Sequence, residues 1–268
     1  MKKTKRKWSL ISKLHFAKLF LRSGLFLATL AAYILNRLTE NRPFVEEIGK
    51  LPVILFVVWG IFALEMVLRF FPSKFESMGC QKQFPKNYEL IEGSDLKNDI
   101  HSPKKTFLVA FFWFLLNAPI ALLYFLGVID SGILVLIGLL YGVCDMICIL
   151  FFCPFETWIL KNKCCVGCRI YNWDYAMMFT PFVLIPSVFT WTLCGLALLL
   201  LLKWEIIHYK YPERFSEKTN ACLSCDKCEE KLCHHKRQLE KLIKEYWEKA
   251  AAWEKEIKKN FPKSKKDE

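Results

Sequence analysis

Histidine is scarce in this chain, and the positions of its five histidines among 268 residues argue against one common membrane cofactor. A b-type haem buried between helices needs paired histidine ligands inside the apolar segments. All five lie outside the central parts of the long apolar stretches: His15, His101, His208, His234 and His235. We therefore expect no haem of this kind in the protein.

Motifs of several large enzyme classes are also missing. The chain contains no P-loop, no Gly-x-Gly-x-x-Gly following a strand, no His-Glu-x-x-His and no Gly-x-Ser-x-Gly. An internal repeat of the kind that builds secondary transporters is not visible either. The sequence motifs therefore identify neither a substrate nor an enzymatic reaction.

Apolar side chains are abundant, at 54% of residues with 15% aromatic and a mean hydropathy of +0.22. About 20 apolar residues in a helix are needed to cross the roughly 30 Å hydrocarbon core of a bilayer. Five stretches approach or reach this length: 19–36, 51–71, 106–129, 133–152 and 179–202. We therefore predict an all-α, polytopic helical bundle of about five spans in the cell membrane, with the lipid bilayer as its surroundings.

The sequence divides into three parts around this bundle. Residues 1–18 are a basic amphipathic segment, 19–204 form the transmembrane bundle, and 205–268 form a soluble tail with a cysteine-rich knot and a charged helix. The first apolar stretch is the weakest because Arg22 and Ser23 interrupt it. Its basic flank resembles the start of a signal peptide, but no Ala-x-Ala-like cleavage site follows.

The net charge of +12 bears on orientation rather than on nucleic acid. Basic residues flank the apolar stretches, a pattern that retains loops in the cytoplasm and attracts anionic lipid headgroups. Five crossings would put the N-terminus inside and the lysine-rich tail outside. The tail returns to the cytoplasm if 19–36 lies in the interface, or if 179–202 bends at Pro181 and Pro186 into a re-entrant hairpin. The charge rule leaves all three arrangements open.

The tail carries four cysteines within twelve residues, Cys222, Cys225, Cys228 and Cys233. The first three are similar in spacing to the loops of bacterial ferredoxins, but the fourth follows after four residues and precedes His234 instead of proline. Four thiolates also form the closed shell of a structural zinc site. We predict a metal site here, zinc or an iron–sulfur cluster, with disulfides or reduced thiols as the alternatives.

A second cysteine cluster, Cys164, Cys165 and Cys168, precedes the last apolar stretch. Gly167 allows a turn that would bring Cys165 and Cys168 to face one point. We predict that these cysteines form a second metal site or complete the first, and a shared site requires that 179–202 does not cross. Palmitoylation or plain interfacial cysteines are the alternatives.

Three charged residues fall inside the apolar stretches, Glu65, Arg69 and Asp145. Glu65 and Arg69 are four apart and share a helical face, and Asp145 lies at a similar depth on a stretch of the same direction. Charges at such depth cost a few kcal/mol each unless they are paired. We predict one intramembrane cluster, joined by the thiol of Cys148, that is either a structural lock or the site of a small transporter.

A charged helix is predicted over 236–259, where apolar residues recur at alternating spacings of four and three. It offers a surface to a protein partner, or packs on the loops of this chain. As a function, the sequence favours thiolate metal sites beside the bilayer for electron transfer or thiol redox work. The alternatives are a scaffolding membrane protein with a zinc-stapled, partner-binding tail and a small transporter.

Overall fold

The structure is a computed structural model that describes residues 10–39, 44, 52–72, 81–92, 103–161, 168–224, 245–249 and 253. Over these residues the protein is all-helical, which confirms the predicted fold class for the described part of the chain. The nearest approach to a strand there is an isolated bridge between Leu90 and Asn220.

The bundle is built from α1 (Leu10–Thr39), α2 (Pro52–Leu68), α3 (Pro103–Phe125), α4 (Ser131–Leu150), the short α5 (Asp174–Met178) and α6 (Val188–Lys210). Within the described ranges, four of them are long and apolar enough to cross a membrane: α1, α3, α4 and α6. Helix α2 is also apolar but has 17 residues, or about 26 Å at 1.5 Å per residue. The chain thus has the helices of a membrane protein.

Local sequence sets several helix ends. Proline is the first residue of both α2 and α3, where its fixed φ suits a helix and its missing N–H has no intrahelical partner. The side chain of Asp130 caps α4 by accepting a hydrogen bond from the backbone N of Ile133 at 2.9 Å. Between α3 and α4, Gly127 has a φ of +71°, a left-handed conformation that glycine adopts without strain.

The helices run between two ends of the bundle, here called the near end and the far end. The near end contains the end of α2 and the end of α6, where Lys203 Nζ donates a hydrogen bond to Phe70 O at 2.5 Å. At the far end, Arg37 near the end of α1 pairs with Asp130 at the start of α4 at 2.5 Å. Helices α1 and α3 therefore run from near to far, and α2, α4 and α6 run from far to near.

Residues 168–187 return from the near end toward the far end without forming a long helix. Helix α5 and a 3-10 turn over Thr180–Leu184 account for much of the segment. It lies antiparallel to α6, because Cys194 Sγ donates to Phe179 O at 3.5 Å and Trp191 Nε1 donates to Val183 O at 3.3 Å. The span predicted over 179–202 is α-helical only from Val188.

The start of this segment lies beside the last turns of α6. The guanidinium group of Arg169 binds the carboxylate of Glu205, and Trp173 Nε1 donates to Glu205 Oε1 at 2.6 Å. Residues 168–187 and α6 thus form an antiparallel pair that begins and ends at the near end. The predicted hairpin shares this return to one end, but it was confined to 179–202, whereas the antiparallel pair covers 168–210 and includes a helix long enough to cross a membrane.

Two glycines of α4 let the returning segment pack directly against that helix. An ideal Cβ on Gly138 would lie 2.3 Å from Phe182 Cε1, and one on Gly142 would lie 2.8 Å from Met178 Sδ. The two glycines are four residues apart and share a face. Small residues at helix interfaces permit this close approach in membrane proteins.

Candidate functional site

Arg22 is the centre of a charge network between α1, α2 and α4. It is 4% exposed; its Nη1 donates to Asp145 Oδ2 at 3.0 Å and to Gly142 O at 3.1 Å, and its Nη2 donates to Glu65 Oε2 at 3.0 Å. Lys18 Nζ lies 3.3 Å from Glu65 Oε1. Two of the three residues predicted to cluster thus meet through a cation that the prediction did not include.

Arg69, the third residue of that prediction, pairs with Asp174. Its Nη1 lies 2.7 Å from Oδ1 and its Nη2 lies 2.6 Å from Oδ2 of this carboxylate. Arg69 follows the last residue of α2, one turn beyond Glu65. It therefore reaches the level at which the 168–187 segment enters the bundle, where Asp174 begins α5.

Tyr175 connects the two groups of ion pairs. Its hydroxyl donates to Glu65 Oε2 at 2.8 Å, and its ring centroid lies 5.8 Å from Cζ of Arg22 and 4.6 Å from Cζ of Arg69. Cations over an aromatic face are attracted by the ring quadrupole. Three cations and three carboxylates thus share one network, in which their charges balance: Lys18, Arg22, Arg69, Glu65, Asp145 and Asp174.

A cavity of about 300 Å³ lies beside this network, between α3, α4 and the 168–187 segment. We call it the thiol cavity because four cysteines line it: Cys144, Cys148, Cys153 and Cys168. Asp145 and Asp174 also belong to its lining and connect it to the ion pairs. The rest of the lining is mostly aromatic and aliphatic.

Cys148 and Cys153 both line this cavity, and their thiols are close enough to influence each other electrostatically. Cys148 stands near the end of α4, and Cys153 follows where the chain has left that helix, before Pro154. Two neighbouring thiols can form a disulfide when an oxidant accepts two electrons, and thiol–disulfide exchange can reduce it again. Neither residue was predicted as a redox pair from sequence, since their approach depends on how the chain leaves α4.

The cysteines predicted as metal ligands are described in part. Cys168 is 6% exposed and lines the thiol cavity, and Cys222 belongs to the 3-10 turn Ala221–Leu223. The other predicted ligands lie outside the described residues: Cys164, Cys165, Cys225, Cys228 and Cys233. Across the described part of the chain, no three His, Cys, Asp or Glu side chains are grouped closely enough to hold a metal ion. The metal site stays a prediction.

Asn220 ties the start of the tail to the loop at 81–92. Its side-chain Nδ2 donates to Lys82 O at 3.0 Å and to Arg214 O at 2.9 Å, and its Oδ1 accepts a hydrogen bond from the backbone N of Cys222 at 3.0 Å. The residue is 0% exposed. This buried amide donates two hydrogen bonds and accepts one, and together they hold the backbone at Cys222, the first of the tail cysteines.

The same loop also holds the segment that carries the second cysteine cluster. Asn172 Nδ2 donates to Gln83 Oε1 at 3.2 Å, and both residues are buried. We call these contacts of Asn172 and Asn220 with the loop the near-end staple. Through it, Cys168 and Cys222 belong to segments that are anchored to one loop at the near end.

The helix predicted over 236–259 lies largely outside the described residues. Of it, the structure describes 245–249, which are helical, and Trp253. The side chains of Tyr246 and Trp247 are exposed. The partner surface of this helix stays a prediction.

Comparison with family models, with curated proteins and with solved structures found no match to this chain. A helical bundle alone assigns no activity, because one fold hosts many unrelated functions. The function therefore has to be argued from the thiol cavity, the ion pairs and the near-end staple.

Proposed function

We propose that this chain is a multi-pass protein of the cell membrane whose near end lies in the cytoplasm. The distribution of basic residues supports this orientation. Of 38 Lys and Arg, the far-end connections over 40–51 and 126–130 contain only Arg42 and Lys50. Basic loops are retained on the cytoplasmic side. Because α1 begins and α6 ends at the near end, the lysine-rich tail then needs no translocation.

This orientation gives six passes, formed by α1 to α4, the 168–187 segment and α6. The fifth pass is irregular, and non-helical backbone at membrane depth is tolerated where protein surrounds it. Phe179, Phe182 and Ile185 are each less than 9% exposed, and Thr190 Oγ1 donates to Ile185 O at 2.7 Å. Burial and side-chain hydrogen bonds from α6 thus support an irregular crossing.

The function we propose is thiol redox work at the thiol cavity, with Cys148 and Cys153 as the reacting pair. The observation that carries this proposal is that both thiols belong to the lining of one cavity, close enough to influence each other electrostatically. Thiols exposed to the cytosol are kept reduced, and disulfides on that side are mostly transient and catalytic or sensory. A dithiol at the cytoplasmic end is therefore suited to cycling between reduced and oxidised forms.

The redox state of Cys148 and Cys153 in native membranes tests this function. Differential alkylation with two isotopic reagents and mass spectrometry should show a Cys148–Cys153 disulfide after diamide and two thiols after dithiothreitol. Cys148→Ser should leave Cys153 reduced under both conditions. Cys194→Ser is the matched control, because Cys194 contacts Phe179 O and is not in the cavity lining. Absence of the disulfide after diamide would exclude the function.

We also propose that both cysteine clusters ligate one metal centre, zinc or an iron–sulfur cluster. The near-end staple supports this, since it anchors the segments of Cys168 and Cys222 to one loop. Four thiolates from two segments complete the shell of either centre. The remaining ligands would come from residues outside the described ranges: Cys164, Cys165, Cys225, Cys228 and Cys233.

Metal analysis of protein purified anaerobically tests the shared centre. One zinc ion or one cluster per chain is expected, and both Cys165→Ser and Cys225→Ser should lower it while Cys194→Ser leaves it unchanged. A visible absorption band that bleaches on reduction would identify iron–sulfur, because zinc has no redox state to change. Two centres per chain would mean separate sites, and no metal at all would remove the proposal.

A further inference from the structure

We propose that the thiol cavity binds a quinone-class molecule from the bilayer and that this molecule oxidises Cys148 and Cys153. The inference rests on the proposed function, because it names the electron acceptor for the same thiol pair. The composition of the lining, the separation of α3 from α4, and the position of the thiols support it.

The lining of the cavity suits a flat, uncharged, apolar ring. Four aromatic side chains contribute to it, Trp113, Tyr141, Phe155 and Tyr171. The rings of Trp113 and Tyr141 are 4.7 Å apart between centroids, and those of Trp113 and Phe155 are 6.3 Å apart. Aromatic rings prefer offset or edge-on packing at such distances, and a flat ligand can join that arrangement. A volume of about 300 Å³ is at the small end for ligand pockets.

The charges around the cavity disfavour an anionic ligand. No Lys, Arg or His contributes to its lining among the described residues. Three carboxyl groups do contribute, those of Asp145, Asp174 and the buried Glu156, and Arg22 and Arg69 pair with the first two. A phosphate or carboxylate substrate would therefore find acidic groups in the wall and no cation, whereas a neutral ring meets no such repulsion.

The cavity lies where α3 and α4 separate. Although these helices follow each other in the chain, α3 packs chiefly against Phe155–Leu160 and Thr180–Leu184 instead of against α4. Among the described residues, the contacts between α3 and α4 include the ring contact of Trp113 with Tyr141 and a hydrogen bond that the Tyr141 hydroxyl donates to Asn117 Oδ1 at 3.3 Å. Cys144, on α4 in this gap, is exposed. In a bilayer the gap opens toward lipid, which is where quinones dissolve.

The proposed step balances as a two-electron oxidation. The S–H bonds of Cys148 and Cys153 break and one S–S bond forms between the two sulfur atoms. Two electrons and two protons pass to the quinone, which becomes the hydroquinone and leaves into the bilayer. A thiol reductant from the cytosol returns the disulfide to two thiols by exchange. One turnover therefore consumes one quinone and two thiol equivalents.

The test uses the full chain in lipid nanodiscs, reduced and kept without oxygen, with tetramethyl-1,4-benzoquinone as the probe. This quinone has no unsubstituted ring position, so it cannot simply add to a thiol. One hydroquinone should appear for each Cys148–Cys153 disulfide. Cys144→Leu, which adds bulk at the gap, should slow the reaction by about tenfold or more, a common result of misfit in an apolar pocket. Cys194→Ser, a change outside the cavity lining, should react with the quinone at the rate of the unsubstituted protein.

Binding is measured separately in a protein that cannot react. In the double variant Cys148→Ser and Cys153→Ser, the quinone should still quench tryptophan fluorescence saturably, and Trp113→Phe should remove part of that signal. If diamide forms the disulfide but the quinone neither binds nor becomes reduced, this inference is wrong and the proposed function stands. If diamide fails as well, the proposed function is wrong. Equal quinone rates in the Cys144→Leu and unsubstituted proteins would exclude entry through the gap.

Discussion

Arg69 and Asp174 form a two-pronged ion pair across 105 residues of sequence, with N–O distances of 2.7 and 2.6 Å. The side chains are 3% and 7% exposed. Removing one partner of such a buried pair lowers the free energy of unfolding strongly, because the other charge is left buried without a counter-ion. The network therefore has a specific pairing: Arg69 binds Asp174, and Arg22 binds Asp145 and Glu65. Removing one cation and then each carboxylate in turn tests this pairing.

Arg69→Met should destabilise the protein by about 3–5 kcal/mol, since Asp174 would remain buried without a cation. Adding Asp174→Asn should restore part of the loss, with a coupling of about 0.5–3 kcal/mol. Asp145→Asn in the Arg69→Met background is the control and should restore less, because Asp145 keeps Arg22. Thermal unfolding in one detergent measures these proteins together with Asp174→Asn alone, which the coupling requires. Greater rescue by Asp145→Asn would contradict the pairing.

Gly138→Ala should destabilise the protein, whereas Gly195→Ala should not. A Cβ at Gly138 would lie 2.3 Å from Phe182, while nothing lies within 4 Å of a Cβ at Gly195. Overpacking of this kind costs about 1–3 kcal/mol, and an unobstructed Gly→Ala change in a helix gains about 0.5–1 kcal/mol. Melting temperatures should move in opposite directions. Equal shifts would mean that the returning segment does not contact α4 there.

Asn220→Ala should loosen the near-end staple without unfolding the bundle. The change leaves Lys82 O and the backbone N of Cys222 without their amide partner, at about 1–3 kcal/mol for each buried group. Hydrogen exchange followed by mass spectrometry should become faster in peptides covering 81–92 and 212–224. The control is Asn117→Ala, whose amide bonds lie within and beside α3. No change in exchange would show that Asn220 does not hold the two segments.

The orientation can be checked with a membrane-impermeant maleimide and residue-specific mass spectrometry. Applied to intact cells, the reagent should label the variant Val128→Cys, because Val128 is 66% exposed at the far end. It should not reach Cys222 there, but should label Cys222 in inverted vesicles after metal chelation. Labelling of Cys222 from outside intact cells would overturn the proposed sidedness.

The positions of three helices followed closely from the apolar runs, whereas α1 begins at Leu10, well before the predicted stretch 19–36. The stretches at 51–71, 106–129 and 133–152 correspond to α2, α3 and α4, which begin or end within four residues of them. The last stretch differs because prolines at 181 and 186 interrupt helical hydrogen bonding. Pro181 and Pro186 thus coincide with the break before α6, whereas Pro119 lies within the continuous helix α3.

The ion-pair partners could not be read from the sequence in the same way. Arg22 carries a signal, because a lone charge in an apolar stretch needs a partner. Its choice of Asp145 depends on α1 lying against α4, and the choice of Asp174 by Arg69 depends on the returning segment. Such contacts between distant residues are set by helix direction and packing, which a single sequence does not determine.

The position of Arg22 in the first helix has a consequence for synthesis of the protein. Its partners Glu65 and Asp145 lie 43 and 123 residues further along the chain. At about 5–20 residues per second, the ribosome needs roughly 6–25 s after Arg22 to reach Asp145. Before Glu65 is made, an unpaired arginine in a bilayer helix costs about 3 kcal/mol. The first helix should therefore stay beside the insertion machinery until the second brings Glu65, and its pairing is complete only when the fourth brings Asp145.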